Sequence, residues 1–150
     1  MKKRIIYLMT LVTFAFVACQ DDVVSTAVNI DTSKSASIKI YVKANLDADN
    51  ATPLENVPNG TNFIVSINKN ELNGNLSAEG MWTKTVSASN GVIETTIPTT
   101  DVGVNVYINA VAFEKKVDDN IYVFELTKEY SSVKTGQKII DSQTLIMRQL

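Results

Sequence analysis

The chain has 150 residues, with 14 lysines and arginines against 16 aspartates and glutamates, no histidine and one cysteine, Cys19. Without histidine there is no Ser/His/Asp or Cys/His catalytic machinery and no zinc site of the usual Cys/His type. The slightly acidic balance argues against nucleic acid as a partner, and 45% hydrophobic with 20% charged residues suits one folded domain.

Lys2, Lys3 and Arg4 precede an apolar stretch from Ile5 to Ala18, interrupted only by Thr10 and Thr13. A basic start, a short apolar core and a small residue before a cut site describe a secretory signal peptide over residues 1–18. A permanent membrane span needs about 20 apolar residues, and this stretch is shorter. It ends Phe16-Val17-Ala18-Cys19. This resembles the bacterial lipoprotein lipobox, with Phe16 where Leu is usual. The resemblance implies that Cys19 is lipidated and becomes the first mature residue. Several acyl chains give firm anchoring, at about 0.8 kcal/mol per buried CH₂. Gln20, Asp21 and Asp22 resemble the export signal of Bacteroidetes outer-membrane lipoproteins. The location this implies is the outer membrane, lipid-anchored, on the cell surface or on the periplasmic face.

Removing residues 1–18 leaves 132 residues and takes away three basic side chains, so the mature chain carries 11 basic and 16 acidic residues, a formal charge of −5. That charge favours solubility and disfavours anionic partners. Residues 19–36 are polar or small and read as the lipidated N-terminus and tether. Val23, Val24, Val28 and Ile30 alternatively supply an opening edge strand.

From residue 37 onward the pattern is β. Ile38, Ile40 and Val42 alternate with Lys39, Tyr41 and Lys43, the period of a half-buried strand. Residues 46–58 read as a loop rich in Asp, Asn and Pro. Phe63, Val65 and Ile67 mark a second strand, residues 70–80 a long connection, and residues 81–86 a third strand with mixed faces. Ser89-Asn90-Gly91 is a turn, and Asn-Gly between β-rich runs is a strong hairpin signal. Residues 92–97 return as a strand that Pro98 stops. Val104, Val106, Ile108 and Ala110 form the clearest strand. Residues 117–120 make a polar turn, residues 121–130 one more strand, and residues 138–147 a last element that suits either a strand or a short helix. About seven short strands separated by turn residues predict a single all-β domain over 37–150, a Greek-key-type, Ig-like β-sandwich. Thr52-Pro53-Leu54-Glu55-Asn56-Val57, the strand from Phe63, Asn90-Gly91-Val92 running to Pro98, and Val104 to Ile108 resemble the prealbumin-like sandwich of carboxypeptidase regulatory-like domains. Those domains are commonly non-catalytic.

Three constellations were candidates for chemistry. Asp47-Ala48-Asp49-Asn50 and Asp118-Asp119-Asn120 gather oxygens that calcium would favour, but the EF-hand pattern fails at positions 51, 52 and 58, so both read as turns and no metal or cofactor is expected. Glu94, Asp101, Glu114, Glu125 and Glu129 have no spacing that sets two carboxylates across a cleft, so no enzymatic activity is expected. Trp82, Tyr107 and Tyr122, with Tyr41, could stack a ligand, because an aromatic ring offers a flat apolar face with a polar rim. The expected role is a lipid-anchored binding or scaffold module, its membrane contact made through Cys19 and its further partner a protein or glycan. An anchoring or accessory subunit of a fimbria is one alternative. The arginine cleavage that matures fimbrial precursors has no site between Cys19 and Arg148. A carbohydrate-binding accessory of a glycan-uptake system is the other.

Overall fold

Alternating apolar residues build the first strand, β1 (Ser35–Ala44), whose Ala36, Ile38, Ile40, Val42 and Ala44 are all buried. The computed structural model describes residues 30–74 and 78–150. The expected signal peptide, Cys19 to Asp22 and most of the expected tether therefore lie outside the described residues. Strand β1 begins two residues before the expected domain start, and Ile30 already packs against the core.

Eleven strands follow among the described residues. They are β1, β2 (Glu55–Asn56), β3 (Asn62–Asn68), β4 (Met81–Ser87), β5 (Val92–Pro98), β6 (Val104–Ala110), β7 (Phe113–Val117), β8 (Asn120–Glu125), β9 (Thr127–Val133), β10 (Lys138–Thr144) and β11 (Ile146–Gln149). Among the described residues one short helix, α1 (Lys69–Asn73), follows β3 and opens the expected connection. The last element is strand throughout, not helix.

The first sheet centres on β1, which pairs in parallel with β10 and antiparallel with β5, while β2 adds beside its far end. The second sheet has the order β4-β3-β6-β9, all antiparallel. Their inner faces meet in one apolar core. Ile38, Ile40, Ile93 and Ile97 come from the first sheet, and Phe63, Val65, Ile67, Val106 and Ile108 from the second. Each of these is 2% exposed or less. Burying each such side chain contributes about 1.5–3 kcal/mol, which holds the two layers together without a disulfide. The all-β sandwich read from the sequence is therefore the fold.

The strand count departs from seven for a structural reason. Strands β8 and β9 are one run bent at Leu126, and β10 and β11 are one run bent at Leu145. At each bend the chain crosses between a sandwich sheet and a third, three-stranded sheet of order β7-β8-β11, leaving the third sheet at Leu126 and entering it at Leu145. Leu126 and Leu145 are buried at these corners, so each bend is seated in the core. The Leu126 carbonyl accepts from Ala110 N–H at 2.9 Å, and Leu145 N–H donates to the Lys43 carbonyl at 2.8 Å. The third sheet packs Phe124, Phe113, Tyr122 and Met147 towards the core, with the Phe113 and Phe124 rings stacked at 5.1 Å.

The Asn-Gly turn forms, with positive φ at Asn90 (50°) and Gly91 (72°) and reciprocal 2.9 Å backbone bonds between Ser89 and Val92. It does not make a hairpin. After one rung β4 joins the second sheet and β5 the first, because each carries an inward apolar face that needs a different layer. The turn is a corner between sheets.

The sandwich has two distinct ends. Ser35, Val104, Val133 and Lys138 share one end, where Gly136 N–H donates to the Ser35 carbonyl. Ala44, Ala110, Leu126 and Leu145 share the other, and the third sheet projects from it. Ten residues of β1 separate the two ends by roughly 30 Å. Residues 30–34 thus enter at the end away from the third sheet, called the tether end after the expected tether.

Candidate functional site

At the tether end, three distant segments surround a depression of about 460 Å³. Asp31 and Lys34 reach it from the entering chain, Glu71 and Leu72 from α1, and Thr99 to Val102 from the loop after β5. Lys34 Nζ lies 2.6 Å from Asp101 Oδ2, although the two are 67 positions apart. That ion pair holds the Asp101 carboxyl below its usual range and the Lys34 ammonium above its own. The Ser33 hydroxyl, 2.6 Å from Asp31 Oδ1, holds the Asp31 carboxyl low as well. Both aspartates are therefore anionic at neutral pH. A glycosidase acid needs the opposite, a carboxyl kept protonated by a raised pKa.

Glu71 is used by the fold. Its Oε1 accepts from Asn68 Nδ2 at 3.1 Å, and its Oε2 accepts from the Asn105 backbone N–H. Asn105 needs that partner because the β3–β6 ladder stops at the Ile67–Val106 pair, one residue before it, and a bulge interrupts its ladder with β9. On the bulged side Ser132 adopts positive φ, and its N–H donates to Asn105 Oδ1 at 3.1 Å.

The sandwich has two lateral edges, β9 facing β10 and β4 facing β5. On the β9/β10 side the Tyr130 hydroxyl donates to Asp141 Oδ2 at 2.8 Å, and Gln143 Nε2 donates to the same oxygen at 2.7 Å. Burial raises the Tyr130 phenol far above its usual value, and the adjacent Asp141 carboxylate adds to this. Asp141 is correspondingly held low, chiefly by the Tyr130 hydroxyl. On the β4/β5 side Lys84 Nζ reaches the Thr96 carbonyl at 3.3 Å. Beside it a groove of about 180 Å³ is lined by Trp82, Thr32, Ser35, Thr96, Ile97 and Pro98.

The aromatic residues singled out in the sequence are on separate surfaces. Trp82 sits opposite Ile67, half-buried, on the inner face of the edge strand β4. Tyr107 lies between Ser66 and Glu129 on the outer face of the second sheet. Tyr122 faces inward from the third sheet, and Tyr41 stands exposed on the outer face of the first. No two of Trp82, Tyr107 and Tyr122 share a platform.

The carboxylates are dispersed in the same way. Glu94 pairs with Lys39 at 3.2 Å on the first sheet, and Glu129 lies on the second. Glu114 and Glu125 lie on the outer face of the third sheet, where Arg148 Nε is 3.9 Å from Glu125.

The Asp47 loop satisfies itself. Asp47 accepts from Asp49 N–H at 3.0 Å and from the Thr52 hydroxyl at 2.7 Å, and Asp49 accepts from Ala51 N–H at 2.8 Å. Asp118, at φ 53°, turns the chain between β7 and β8. Among the described residues no group of three or more Asp, Glu, Cys or His is placed to hold a metal ion. No described helix is long and apolar enough to cross a membrane.

Sequence reasoning missed the meeting of Asp31, Lys34, Glu71 and Asp101. Only the fold brings them together, and no local spacing announces it. No protein-family model, curated protein or solved structure matches the chain.

Proposed function

We propose that this chain is a non-catalytic, lipid-anchored envelope lipoprotein of the Bacteroidetes type, whose sandwich is a binding or scaffold module held off the outer membrane. The observation that carries the reading is the placement of the chain's entry. The described chain starts at Ile30, at the end of the sandwich opposite the third sheet. With Cys19 lipidated, a leash of about ten residues joins the lipid to that end, so the third sheet is the part of the domain farthest from the attachment point. Asp31 and Asp101, both anionic, supply no protonated carboxyl to serve as a general acid.

Metabolic labelling with a clickable fatty acid in the native host tests the anchor. The full chain takes up label and partitions with membranes, and Cys19→Ser loses the label and frees the domain. An unlabelled wild-type chain refutes the lipoprotein reading. Protease treatment of intact cells then distinguishes the surface from the periplasmic face.

One observation favours the glycan-accessory reading as the second. The Trp82 groove combines an indole, Pro98 and three hydroxyl-bearing residues, Thr32, Ser35 and Thr96. Sugars are bound by such mixtures of apolar face and hydroxyl partners. Titration of Trp82 fluorescence with an oligosaccharide panel decides it, and unchanged emission throughout removes it.

A further inference from the structure

The outer face of the third sheet sets exposed aliphatic side chains among four charged ones, Glu114, Lys116, Glu125 and Arg148, where an exposed sheet face is ordinarily polar. Ile121, Ile146 and Leu150 are 42%, 63% and 64% exposed there. Val123, between them on the central strand, is only 8% exposed yet takes no part in the main core. Glu114 and Arg148 lie directly opposite it on β7 and β11. The middle row of the face therefore reads acid, apolar, base across three strands. The next row reads Lys116, Ile121, Leu150, where Leu150 N–H extends the ladder to the Ile121 carbonyl at 3.0 Å.

We infer that this face is a self-association surface and that its occupant is the same face of a second copy of this chain. The charge pattern selects the partner and its orientation. A twofold axis running along β8 sets Val123 on Val123 and Ile121 on Ile121. It also sets Glu114 of each copy over Arg148 of the other. Sheets packed face to face stand about 10 Å apart, a gap that Glu and Arg side chains span together. The same axis lays the aliphatic stem of Lys116 over Leu150 of the second copy, an apolar contact with the ammonium left in water. An axis across the strands would instead stack Glu114 on Glu114 and Arg148 on Arg148, so only the lengthwise arrangement is complementary. The one like-charge meeting it creates, Glu125 with its copy, is offset by Arg148 of the same chain. Three short strands offer well under the roughly 800 Å² per partner of a standard interface, so the pairing is weak and concentration-dependent. It stands apart from the anchor reading, because it draws only on residues of the third sheet.

Crosslinking of the full chain in expressing cells tests it. Ile121→Cys lies on the axis, and a short bismaleimide linker converts it to a covalent dimer. Tyr107→Cys, on the outer face of the second sheet, serves as the comparison, and the unmodified chain gives the background from Cys19. The expected result is a dimer yield from Ile121→Cys at least tenfold above both. In that background Glu114→Arg or Arg148→Glu alone cuts the yield at least tenfold, and the two together restore it. Equal yields from Ile121→Cys and Tyr107→Cys overturn the proposal. So do single charge reversals without effect, and adducts formed only with a different protein. Protease resistance of each variant confirms that the domain is folded, so a lost crosslink reports the interface.

Discussion

The sandwich and the third sheet use the same strand chemistry for different ends. In the sandwich, two sheets bury each other's apolar faces, and residues such as Phe63 and Ile108 have no exposure at all. The third sheet buries only one face. Phe124 anchors it inward, and its other face leaves Ile146 and Leu150 in solvent. The first region is closed by its own residues, and the second is complete on one side only.

Substitutions test that contrast, starting with the sandwich. Phe63→Ala removes a ring with no exposure from the second sheet and costs about 3–5 kcal/mol of global stability, read by urea denaturation. Leu126→Ala removes the side chain that seats one bend. It costs about 2–4 kcal/mol, and hydrogen exchange in β7 and β8 accelerates more than in β1 or β3. Equal acceleration everywhere would mean that the third sheet is not a separate unit.

Gly103→Ala strains the tether end. At φ 102° an added Cβ would lie 2.9 Å from the Ser132 backbone carbon, which cannot swing aside as a side chain could. The cost is about 1–3 kcal/mol in the same denaturation experiment.

Tyr130→Phe loses the 2.8 Å bond to Asp141 across the β9/β10 edge and costs about 1 kcal/mol. Its pH dependence has a definite sign. Asp141 is held below the carboxylate value it regains on unfolding, so its contribution is present above pH about 4 and lost as pH falls through the lowered value. The native chain therefore loses more stability on acidification than Tyr130→Phe does. Smallest of all is Lys39→Ala on the first sheet's outer face. Its pairing with Glu94 is largely exposed, and the change stays within about 0.5 kcal/mol.

The parts of this fold that sequence reveals are those where periodicity and burial agree. Ile38, Ile40 and Val42, Phe63, Val65 and Ile67, and Val104, Val106 and Ile108 all point inward as their alternation requires. The bends were invisible for a related reason. Tyr122, Phe124, Leu126 and Tyr130 keep one parity through the corner, so two strands in different sheets read as one. The run through Ile139, Leu145 and Met147 behaves in the same way. Strand β7 was hidden because Lys115 occupies the middle of its inward row. Asn90-Gly91 announced a turn correctly, but a turn does not determine whether its flanking strands pair. The acidic depression was the least legible, since Lys34 and Asp101 meet only after both sheets have formed.

The parallel pairing of β1 with β10 also bears on how the chain is made. Ile38 waits for Ile139, its partner 101 positions later, before the first sheet can acquire its far edge. Closing so long a loop delays folding, because the entropic cost precedes the reward. Strand β5, on the other side of β1, lies much nearer in sequence, so the antiparallel half of the sheet can form before the parallel half.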